Sequence, residues 1–348
     1  MSNPAFPGGL HQEDPDLSPR QREVFAAVVE LHGASAHPVG SETLADLGRI
    51  ALSSASIRSE LAGLESAGLL ERTHASAGRV PSVRGYEYYV RTLLVPAVLP
   101  ADLVAQVNET LARSARDVEH LLHEASRLLS SLTHQLGLAL AASLAKETLT
   151  GLDLVASDER YVLMVLNLGP AAVRTLALEL ESPLAREELA EVAAVLRERL
   201  LGRPLTEVGD RLASDPELVR KSATRMVARA AAESWARPVS TPLFSAGTMH
   251  IAEQPEFARG ARLGSLLRVV ESGTPLDRLM VHGVEGQVAV RVGLDEDLAL
   301  TGMSLVSYLL PGPARAAVGV LGPLRMDYAL ALQVVDAVGA RVTELLST

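Results

Sequence analysis

The amino-acid sequence predicts an α+β fold that is divided into more than one domain. Residues 17–95 contain three helical patterns, a short strand and a polar loop in succession. Farther along, strand patterns appear after Thr148, give way to helical patterns, and return from Leu279. The length of 348 residues also exceeds what one hydrophobic core usually supports, so two or three domains are expected.

The composition is that of a folded protein without disulfides. Apolar residues make up 48% of the chain, which is enough for a sizeable core, and cysteine is absent. Disulfides, thiolate chemistry and cysteine-ligated zinc are therefore excluded. Residues 1–16 are predicted to be disordered and do not resemble a signal peptide, and the apolar stretch Leu136–Ala145 is too short to span a membrane. We therefore expect a cytoplasmic protein with no membrane partner.

The charge of the chain limits the kind of nucleic-acid binding that it could support. The formal net charge of −10 argues against a non-specific, polybasic binder. Residues 18–94, however, contain eight Arg against eight Asp or Glu, so this segment is neutral and the excess acid lies elsewhere. The distribution is compatible with a small DNA-reading domain on an acidic body. It is equally compatible with a neutral helical domain that has no nucleic-acid role.

Local signals predict the first three helices. A capping box at Ser18 and Gln21 begins the first helix, and Gly33 is expected to end it. Ser41 is expected to cap a short second helix, and Ser53 to cap the third. Apolar residues share one face of the third helix at helical spacing: Ile57, Leu61 and Leu64.

A short strand, a polar loop and a return complete the first domain. Leu69–Thr73 has strand character, residues 74–79 are small, polar and glycine-containing, and Ser82 caps a further helix. The order of helix, helix, helix, strand, loop and return is that of a winged helix-turn-helix. We therefore predict this fold over residues 17–95.

The rest of the chain is expected to contain a long helix and an interrupted α+β region. Pro96 and Pro100 bracket a hinge, and a stripe of apolar residues predicts one helix over about 101–145 that packs either within the chain or against a second chain. Strands are predicted at Leu152–Val155, Tyr161–Leu168, Val173–Leu180, Leu279–Gly283, Val288–Val292, Leu305–Leu310 and Ala316–Leu321, and helices over about 182–236 and 326–346. Strands that are interrupted by helices and then resume suggest one α+β domain with an insertion.

The outer face of the third helix is the most informative feature of the sequence. At about 100° per residue, small residues lie opposite its apolar face: Ala55, Ser59, Ala62 and Ser66. Small side chains would allow the helix to enter a DNA groove, where Ser56 and Arg58 at the flanks could contact bases or phosphates. Free backbone N–H groups at Ser53 and Ser54 could bind a phosphate. The alternative is that this face packs on another helix.

The loop after the strand offers a second candidate contact. A flexible loop that ends in arginine suits contact with phosphate or with the minor groove, although a plain hairpin loop is an open alternative. The predicted DNA-binding residues are Ser41, Ser53, Ser54, Ala55, Ser56, Arg58, Ser59, Ala62, His74, Ser76, Gly78 and Arg79.

Consecutive blocks of the sequence resemble the HrcA heat-inducible transcription repressor family. The blocks are Pro38–Ser41, Ser53–Arg58, His74–Pro81, Gly85–Tyr86, Gly247–Thr248 with Gln254–Phe257, and Gly322–Tyr328. The resemblance runs from about residue 17 to 347, which is nearly the whole chain. Three positions depart from the family pattern: Glu42 stands where a basic residue is usual, Ser59 where Asn is frequent, and Ser82 where Thr is usual. The resemblance therefore does not carry over one phosphate contact from the second helix, at Glu42, and one amide contact is missing at Ser59.

The resemblance implies a domain organisation. It implies a winged helix domain, a GAF-like domain, and a helical dimerising domain inserted into the latter. The corresponding boundaries are 17–95 for the winged helix domain, 96–148 for a hinge and linking helix, 149–185 with 264–348 for the GAF-like domain, and 186–263 for the inserted dimerising domain.

The resemblance also implies partners and a function. It implies a homodimer that binds double-stranded DNA at an inverted-repeat operator called CIRCE. It implies repression of the heat-shock operons that encode the chaperonin and DnaK. It further implies that a GroEL-type chaperonin assists the repressor into its DNA-binding form.

Candidate metal sites and catalytic residues elsewhere in the chain lack the sequence motifs that such sites require. His120 and His123 match no familiar zinc motif, the acidic run 295–297 is typical of a turn, and neither Ser245 nor Ser304 has the context of a catalytic nucleophile. We therefore predict no metal, no cofactor and no enzymatic activity. The rival interpretation is an enzyme or metabolite-binding protein that uses the α+β region, with the N-terminal helices as an interaction module.

Overall fold

The computed structural model describes residues 14–48, 50–74, 78–95, 98–114, 118–141, 147–158, 160–168, 172–236, 243–258, 260–312 and 316–347. The chain forms two compact units, one made of residues 1–141 with 242–348 and the other of residues 142–241. Among the helices of the described ranges, none is long and apolar enough to cross a membrane.

Three helices, a two-stranded hairpin and a fourth helix begin the first unit. They are α1 (Pro19–Ser35), α2 (Ser41–Asp46), α3 (Ser54–Ser66), β1 (Leu70–Arg72), β2 (Arg79–Pro81) and α4 (Val83–Tyr88), which continues into a π-helical turn over Tyr89–Leu93. The two strands pair antiparallel, with Glu71 opposite Val80. The order of these elements agrees with the prediction for residues 17–95.

Side-chain caps explain where two of these helices begin. Ser18 Oγ accepts a hydrogen bond from the Gln21 amide at 3.2 Å, and the Ser18 amide donates to Gln21 Oε1 at 3.0 Å. The predicted capping box is therefore confirmed. Ser53 Oγ accepts from the Ser56 amide at 3.2 Å, which confirms the predicted cap of α3. The prediction that Ser41 caps α2 is wrong, because Gly40 is the N-cap residue and Ser41 is the first residue of the helix.

The prediction that Gly33 ends α1 is wrong. The helix continues to Ser35, and Ala36 adopts the left-handed conformation, with φ of 58°, that closes its C-terminus. A Cβ atom at Gly33 would lie 3.2 Å from the backbone oxygen of Arg325. The glycine therefore permits a close approach between α1 and a distant part of the chain.

The described residues within 101–140 form two helices and a strand, where one long helix over about 101–145 is predicted. The elements are α5 (Ala101–Ser114), α6 (Val118–Thr133) and β3 (Leu136–Leu140). The side chains of Leu136, Leu138 and Leu140 belong to one hydrophobic core, while Gly137 faces α6. Leu136 and Leu140 continue the helical spacing of the preceding stripe, whereas Leu136, Leu138 and Leu140 together alternate as in a strand. The pairing of β3 with neighbouring strands decides between the two.

The unit of residues 142–241 combines a three-stranded sheet with three helices. Its elements are β4 (Leu149–Ala156), β5 (Tyr161–Leu168), β6 (Ala172–Glu179), α7 (Arg186–Leu200), α8 (Leu205–Ser214) and α9 (Ser222–Ala236). The strands lie antiparallel in the order β4-β5-β6. Sheet and helices share one core, to which Met164 and Leu196 both belong. The predicted strand Tyr161–Leu168 is confirmed.

This unit corrects the predicted domain boundaries. The sequence predicts that residues 149–185 join residues 264–348 and that the insertion begins at residue 186. Among the described strands, β4, β5 and β6 pair only with one another, and they pack on α7, α8 and α9. The inserted unit is therefore residues 142–241 and contains its own sheet. A strand pattern identifies a strand but not its partner, so the sequence could not assign these strands to a sheet.

The remaining elements complete the body of the first unit. They are β7 (Leu243–Ala246), α10 (Thr248–Ala252), a 3₁₀ turn at Pro255–Phe257, α11 (Gly260–Ser272), α12 (Leu276–Met280), β8 (Val288–Val292), β9 (Met303–Leu309), β10 (Ala317–Pro323) and α13 (Tyr328–Leu346). The predicted strand Val288–Val292 is confirmed. The prediction of a strand at Leu279–Gly283 is wrong. Leu279 and Met280 are the last two residues of the helix α12, and both are buried there.

A five-stranded antiparallel sheet forms the centre of this body. The strand order is β7-β3-β10-β9-β8. The core on one face includes residues of α10, α11 and α12, such as Ile251 and Leu266. On the other face α6 and α13 approach closely, since a Cβ atom at Gly339 would lie 2.3 Å from Tyr308 Cγ. The sheet is therefore covered by helices on both faces.

A buried carboxylate in the inserted unit links two of its helices and the turn between α8 and α9. The side chain of Asp215 is 3% exposed and accepts hydrogen bonds from Arg199 Nε at 3.1 Å and from the Glu217 amide at 3.0 Å. Arg211 Nη1 lies 3.6 Å from the same carboxylate. Burial by itself would raise the pKa of Asp215, but these hydrogen bonds and positive charges hold it below its usual value.

Asp215→Asn is expected to lower the free energy of unfolding of this unit by about 1.5–3 kcal/mol at pH 7. Because the folded-state pKa is lowered, the carboxylate stabilises the fold above its unfolded pKa of about 3.9 and loses this effect as the pH falls through the folded value. The measurement is urea unfolding followed by fluorescence of Trp235, the single tryptophan of the chain. The difference in the free energy of unfolding between variant and parent should shrink as the pH is lowered. The prediction would be contradicted if this difference stayed constant down to the lowest pH at which both proteins fold.

Candidate nucleic-acid interface

The helix α3 has one fully buried face and one exposed face. Ile57, Leu61 and Leu64 are each 0% exposed, and α3 packs against α1 and α2. The residues predicted on the outer face are exposed: Ala55, Ser56, Arg58, Ser59, Ala62 and Ser66. The alternative that this face packs on another helix therefore does not hold within the described part of the chain.

The exposed face of α3 is low in profile and carries one cation at its edge. Ser66 Oγ donates to the backbone oxygen of Ala62 at 3.0 Å, so this hydroxyl is bonded to the backbone of its own helix. Arg58 is exposed and forms no ion pair among the described residues. An α-helix with such a surface can enter the major groove, where hydroxyl and guanidinium groups can bond bases or phosphates.

The start of α3 is held against α2 by a pair of serines. Ser54 Oγ donates to Ser41 Oγ at 3.2 Å, and Ser41 is buried. The hydroxyl of Ser53 is used in the cap of α3 and lies 3.0 Å from Ser56 Oγ. The structure therefore brings Ser41, predicted as a DNA contact, into the contact between α2 and α3 and leaves Ser53 and Ser56 at the exposed end.

The position of Arg79 corrects the prediction that this residue reaches DNA from the loop. Its side chain is 9% exposed, and its Nε donates to Glu65 Oε2 at 3.0 Å. Arg72 Nε donates to the same carboxylate at 3.0 Å. Partial burial would raise the pKa of Glu65, but the two guanidinium groups lower it below its usual value. Arg79 thus ties the hairpin to α3.

Close packing within the chain explains why residue 78 is a glycine. A Cβ atom at Gly78 would lie 2.6 Å from the backbone oxygen of Val39, so only glycine permits this approach of the hairpin to the segment before α2. The amide of Arg79 donates to the Val39 oxygen at 2.9 Å in the same place. His74 is exposed, whereas Ser76 lies outside the described residues.

The sequence patterns did not reveal that α1 and α4 contact the body of the first unit. Arg325 Nη1 donates to the backbone oxygen of Gly33 at 3.1 Å, and the rings of Tyr86 and Tyr328 lie 6.1 Å apart. The sequence showed Arg325 and Tyr328 as members of the block Gly322–Tyr328, but it did not show what they contact. No local periodicity connects that block to α1.

Two other kinds of site are relevant to the rival interpretation. Among the described residues, no group of three or more His, Cys, Asp or Glu could hold a metal ion. An open groove of about 720 Å³ runs beside α11 and is lined in part by Arg262, Ser265, Arg268 and Ser272. Arg268 Nη2 already donates to Ser265 Oγ at 2.9 Å within it.

The fold and the exposed helix define a class of protein. It is an α+β chain in which a helical module with a hairpin precedes a body built on an antiparallel sheet, with a further unit inserted into that body. A solved structure described as a hypothetical protein at 2.2 Å resolution shares this fold, with a TM-score of 0.61 and 21% sequence identity. The match covers 95% of this chain and 99% of that one.

Sequence comparison identifies the family. The family model described as the HrcA protein C-terminal domain matches residues 119–331. The heat-inducible transcription repressor HrcA of Geobacter sulfurreducens is 32% identical over 339 residues, which cover 95% of this chain and 98% of that protein. The protein of the same description from Nitratidesulfovibrio vulgaris is 32% identical over 343 residues, with 95% and 96% covered. The chain belongs to the HrcA family.

Proposed function

We propose that this protein is a heat-inducible transcription repressor that binds double-stranded DNA through α3. The observation that carries the proposal is the exposed face of Ala55, Ser59 and Ala62 on a helix whose opposite face is fully buried. Membership of a family whose relatives are described as heat-inducible transcription repressors supports it. Repression by DNA binding requires no catalytic group, so the proposal includes no enzymatic activity and no cofactor.

Residues 17–95 act as a winged helix-turn-helix in this proposal. The helices α2 and α3 form the helix-turn-helix, α3 enters the major groove, and the hairpin β1–β2 is the wing. Ser53, Ser56 and Arg58 lie where they can contact phosphates or base edges. Ser41, Gly78 and Arg79 support the geometry of the module, because their positions are explained by contacts within the chain.

The remaining parts of the proposal rest on the family resemblance. The operator is the inverted repeat CIRCE ahead of the chaperonin and DnaK operons, and a homodimer in the cytoplasm binds its two halves. We assign the five-stranded sheet with helices on both faces to a GAF-like domain and residues 142–241 to the dimerising unit. A GroEL-type chaperonin assists folding, so that heat, which occupies the chaperonin with other clients, leaves the operons free.

The test of the proposal is binding of the full-length protein to DNA. Fragments from upstream of the chaperonin and DnaK operons are titrated at physiological salt, with scrambled fragments of equal length as controls. We expect tighter binding to the upstream fragments, with no small molecule added. Equal affinity for upstream and scrambled fragments would contradict sequence-specific repression.

Two arginine variants separate DNA contact from structural support. Arg58→Ala is expected to weaken binding, relax sequence preference and reduce the slope of log affinity against log salt by about one unit, because one phosphate neutralisation is lost. Arg79→Ala is expected to lower the melting temperature and leave the salt slope unchanged, because its guanidinium is bound to Glu65. A reduced slope for Arg79→Ala together with an unchanged slope for Arg58→Ala would reverse the assignment.

The groove beside α11 is the observation that favours the rival function of metabolite binding. Arg262 and Arg268 in its lining would suit a small anion, and Asp297 in the same lining would oppose one. A melting temperature raised by a small anionic metabolite, with no preference for the upstream DNA, would support the rival.

A further inference from the structure

Two sequence blocks that DNA contact does not explain meet at one side chain. The blocks are Gln254–Phe257, at the 3₁₀ turn, and Gly322–Tyr328, between β10 and α13. Arg325 Nε donates to Glu256 Oε1 at 2.8 Å, and Nη2 donates to Oε2 at 3.1 Å. Nη2 also donates to Gln254. The Arg325 side chain is 11% exposed, so this bidentate pair is largely withdrawn from water.

The third nitrogen of the same guanidinium reaches the N-terminal helices. Arg325 Nη1 donates to the backbone oxygen of Gly33 at 3.1 Å. Because α1 ends at Ser35, this oxygen is one of the last four carbonyls of the helix, which lack partners within it. A cation at the C-terminus of a helix also interacts favourably with the helix dipole. The absent side chain of Gly33 allows the approach, since a Cβ atom there would be 3.2 Å from the Arg325 oxygen.

A second contact lies beside this one and keeps α4 close to α13. The rings of Tyr86 and Tyr328 lie 6.1 Å apart, and His32 Nδ1 lies 2.7 Å from Tyr86 Oη. Burial lowers the pKa of His32, and the charge of Arg325 lowers it further. The lowered pKa disfavours the protonated form of His32, which would place a second positive charge near Arg325.

We propose that Arg325 and Glu256 form a latch that fixes the orientation of α1 on the body and thereby the orientation of α3. The guanidinium is planar and makes bonds in fixed directions, so it constrains orientation as well as distance. Because α3 packs on α1, the constraint passes to the exposed face of α3. In a dimer, this orientation decides which spacing of the two operator halves both copies can engage. This last step rests on the proposed function.

The latch itself can be tested without DNA. The chain has no cysteine, so spin labels can be attached through Glu23→Cys on α1 and Ala340→Cys on α13, which are both exposed. Labelled protein is mixed with excess unlabelled protein to isolate distances within one chain. We expect Arg325→Ala and Glu256→Gln each to broaden the distance distribution, while the matched variant Arg278→Ala, an exposed arginine of the same body, leaves it narrow. A distribution that stays narrow in both latch variants would overturn the proposal, whether or not the protein binds DNA.

The effect on operator choice is tested with the same variants. Affinity is compared for DNA with the natural separation of half-sites and for DNA with two base pairs inserted between them. We expect Arg325→Ala to reduce the ratio of these affinities by about tenfold, a typical size for coupling between two parts of a protein. The variant is expected to bind the natural site more weakly and to lose less affinity than the parent when the two base pairs are inserted. Arg325→Lys keeps the charge but not the fork of donors, so partial recovery is expected.

The combined outcomes distinguish the two proposals. A broadened distance distribution with no DNA binding by the parent protein would support the latch and contradict the proposed function. A broadened distribution with an unchanged affinity ratio would overturn the role of the latch in setting half-site spacing. Circular dichroism melting of each variant establishes that the folded proteins are being compared.

Discussion

Ala62→Glu is expected to remove sequence-specific DNA binding, with a loss of affinity of about a hundredfold or more. Ala62 is exposed in the middle of the outer face of α3. In the proposed complex, a glutamate there would place a carboxylate between the helix and the negatively charged groove. Like charges brought together at an interface cost several kcal/mol, and each 1.4 kcal/mol is about a tenfold change in affinity.

Ala340→Glu is the matched control for this prediction. Ala340 is an exposed alanine of α13, so the two variants share the chemical change, the helical setting and the added charge. Both are titrated onto the upstream DNA at the same salt concentration, and their melting temperatures are compared. If the two variants bind equally well, α3 does not enter the groove and the proposed interface is wrong.

Gly137→Ala is expected to lower the free energy of unfolding of the first unit by about 3 kcal/mol or more. A Cβ atom at Gly137 would lie 2.0 Å from the backbone oxygen of Ser126 and 2.8 Å from the backbone nitrogen of Ser130. Both atoms belong to the backbone of α6, which cannot move aside by changing a rotamer. The strand β3 and the helix α6 would have to separate, and the sheet lies between its two helical layers at this point.

Gly260→Ala is the control for the destabilisation. A Cβ atom at Gly260 would meet nothing within 4 Å, and the residue begins α11, where alanine is a better helix former than glycine. We expect its stability to match or slightly exceed that of the parent protein. Urea unfolding followed by circular dichroism measures both variants. Equal stability of Gly137→Ala and Gly260→Ala would mean that β3 and α6 are not as close as described.

The local features of the fold could be predicted because neighbouring residues determine them. A capping box requires only Ser18 and Gln21, which are three residues apart and bond each other's backbone. The two faces of α3 follow from helical periodicity, which separates Ile57 and Leu61 from Ser59. The family membership was likewise predictable, because each block that carries the resemblance is a short motif that can be read directly from the sequence, and the blocks occur in order.

Features that depend on distant partners could not be predicted in the same way. The stretch Leu136–Leu140 continues a helical stripe in the sequence but forms a strand, because β7 and β10 offer it hydrogen bonds on both sides. Arg79 follows a polar loop and is typical of a phosphate contact, but Glu65 lies within reach once the hairpin folds back on α3. The sequence predicted Arg79 and Gly78 as DNA contacts, whereas the structure accounts for both by contacts within the chain. The exposed face of α3 stays the predicted interface.

By itself, the sequence determined where α1 and α3 begin, which face of α3 is apolar, and the family to which the chain belongs. These depend on periodicity, caps and short motifs, which act over a few residues. The tertiary structure alone decided that residues 142–241 form one unit, that Gly33 receives Arg325, and that Glu65 binds Arg79. Such contacts join residues far apart in the chain, and they stabilise the protein only after the backbone has brought the partners together.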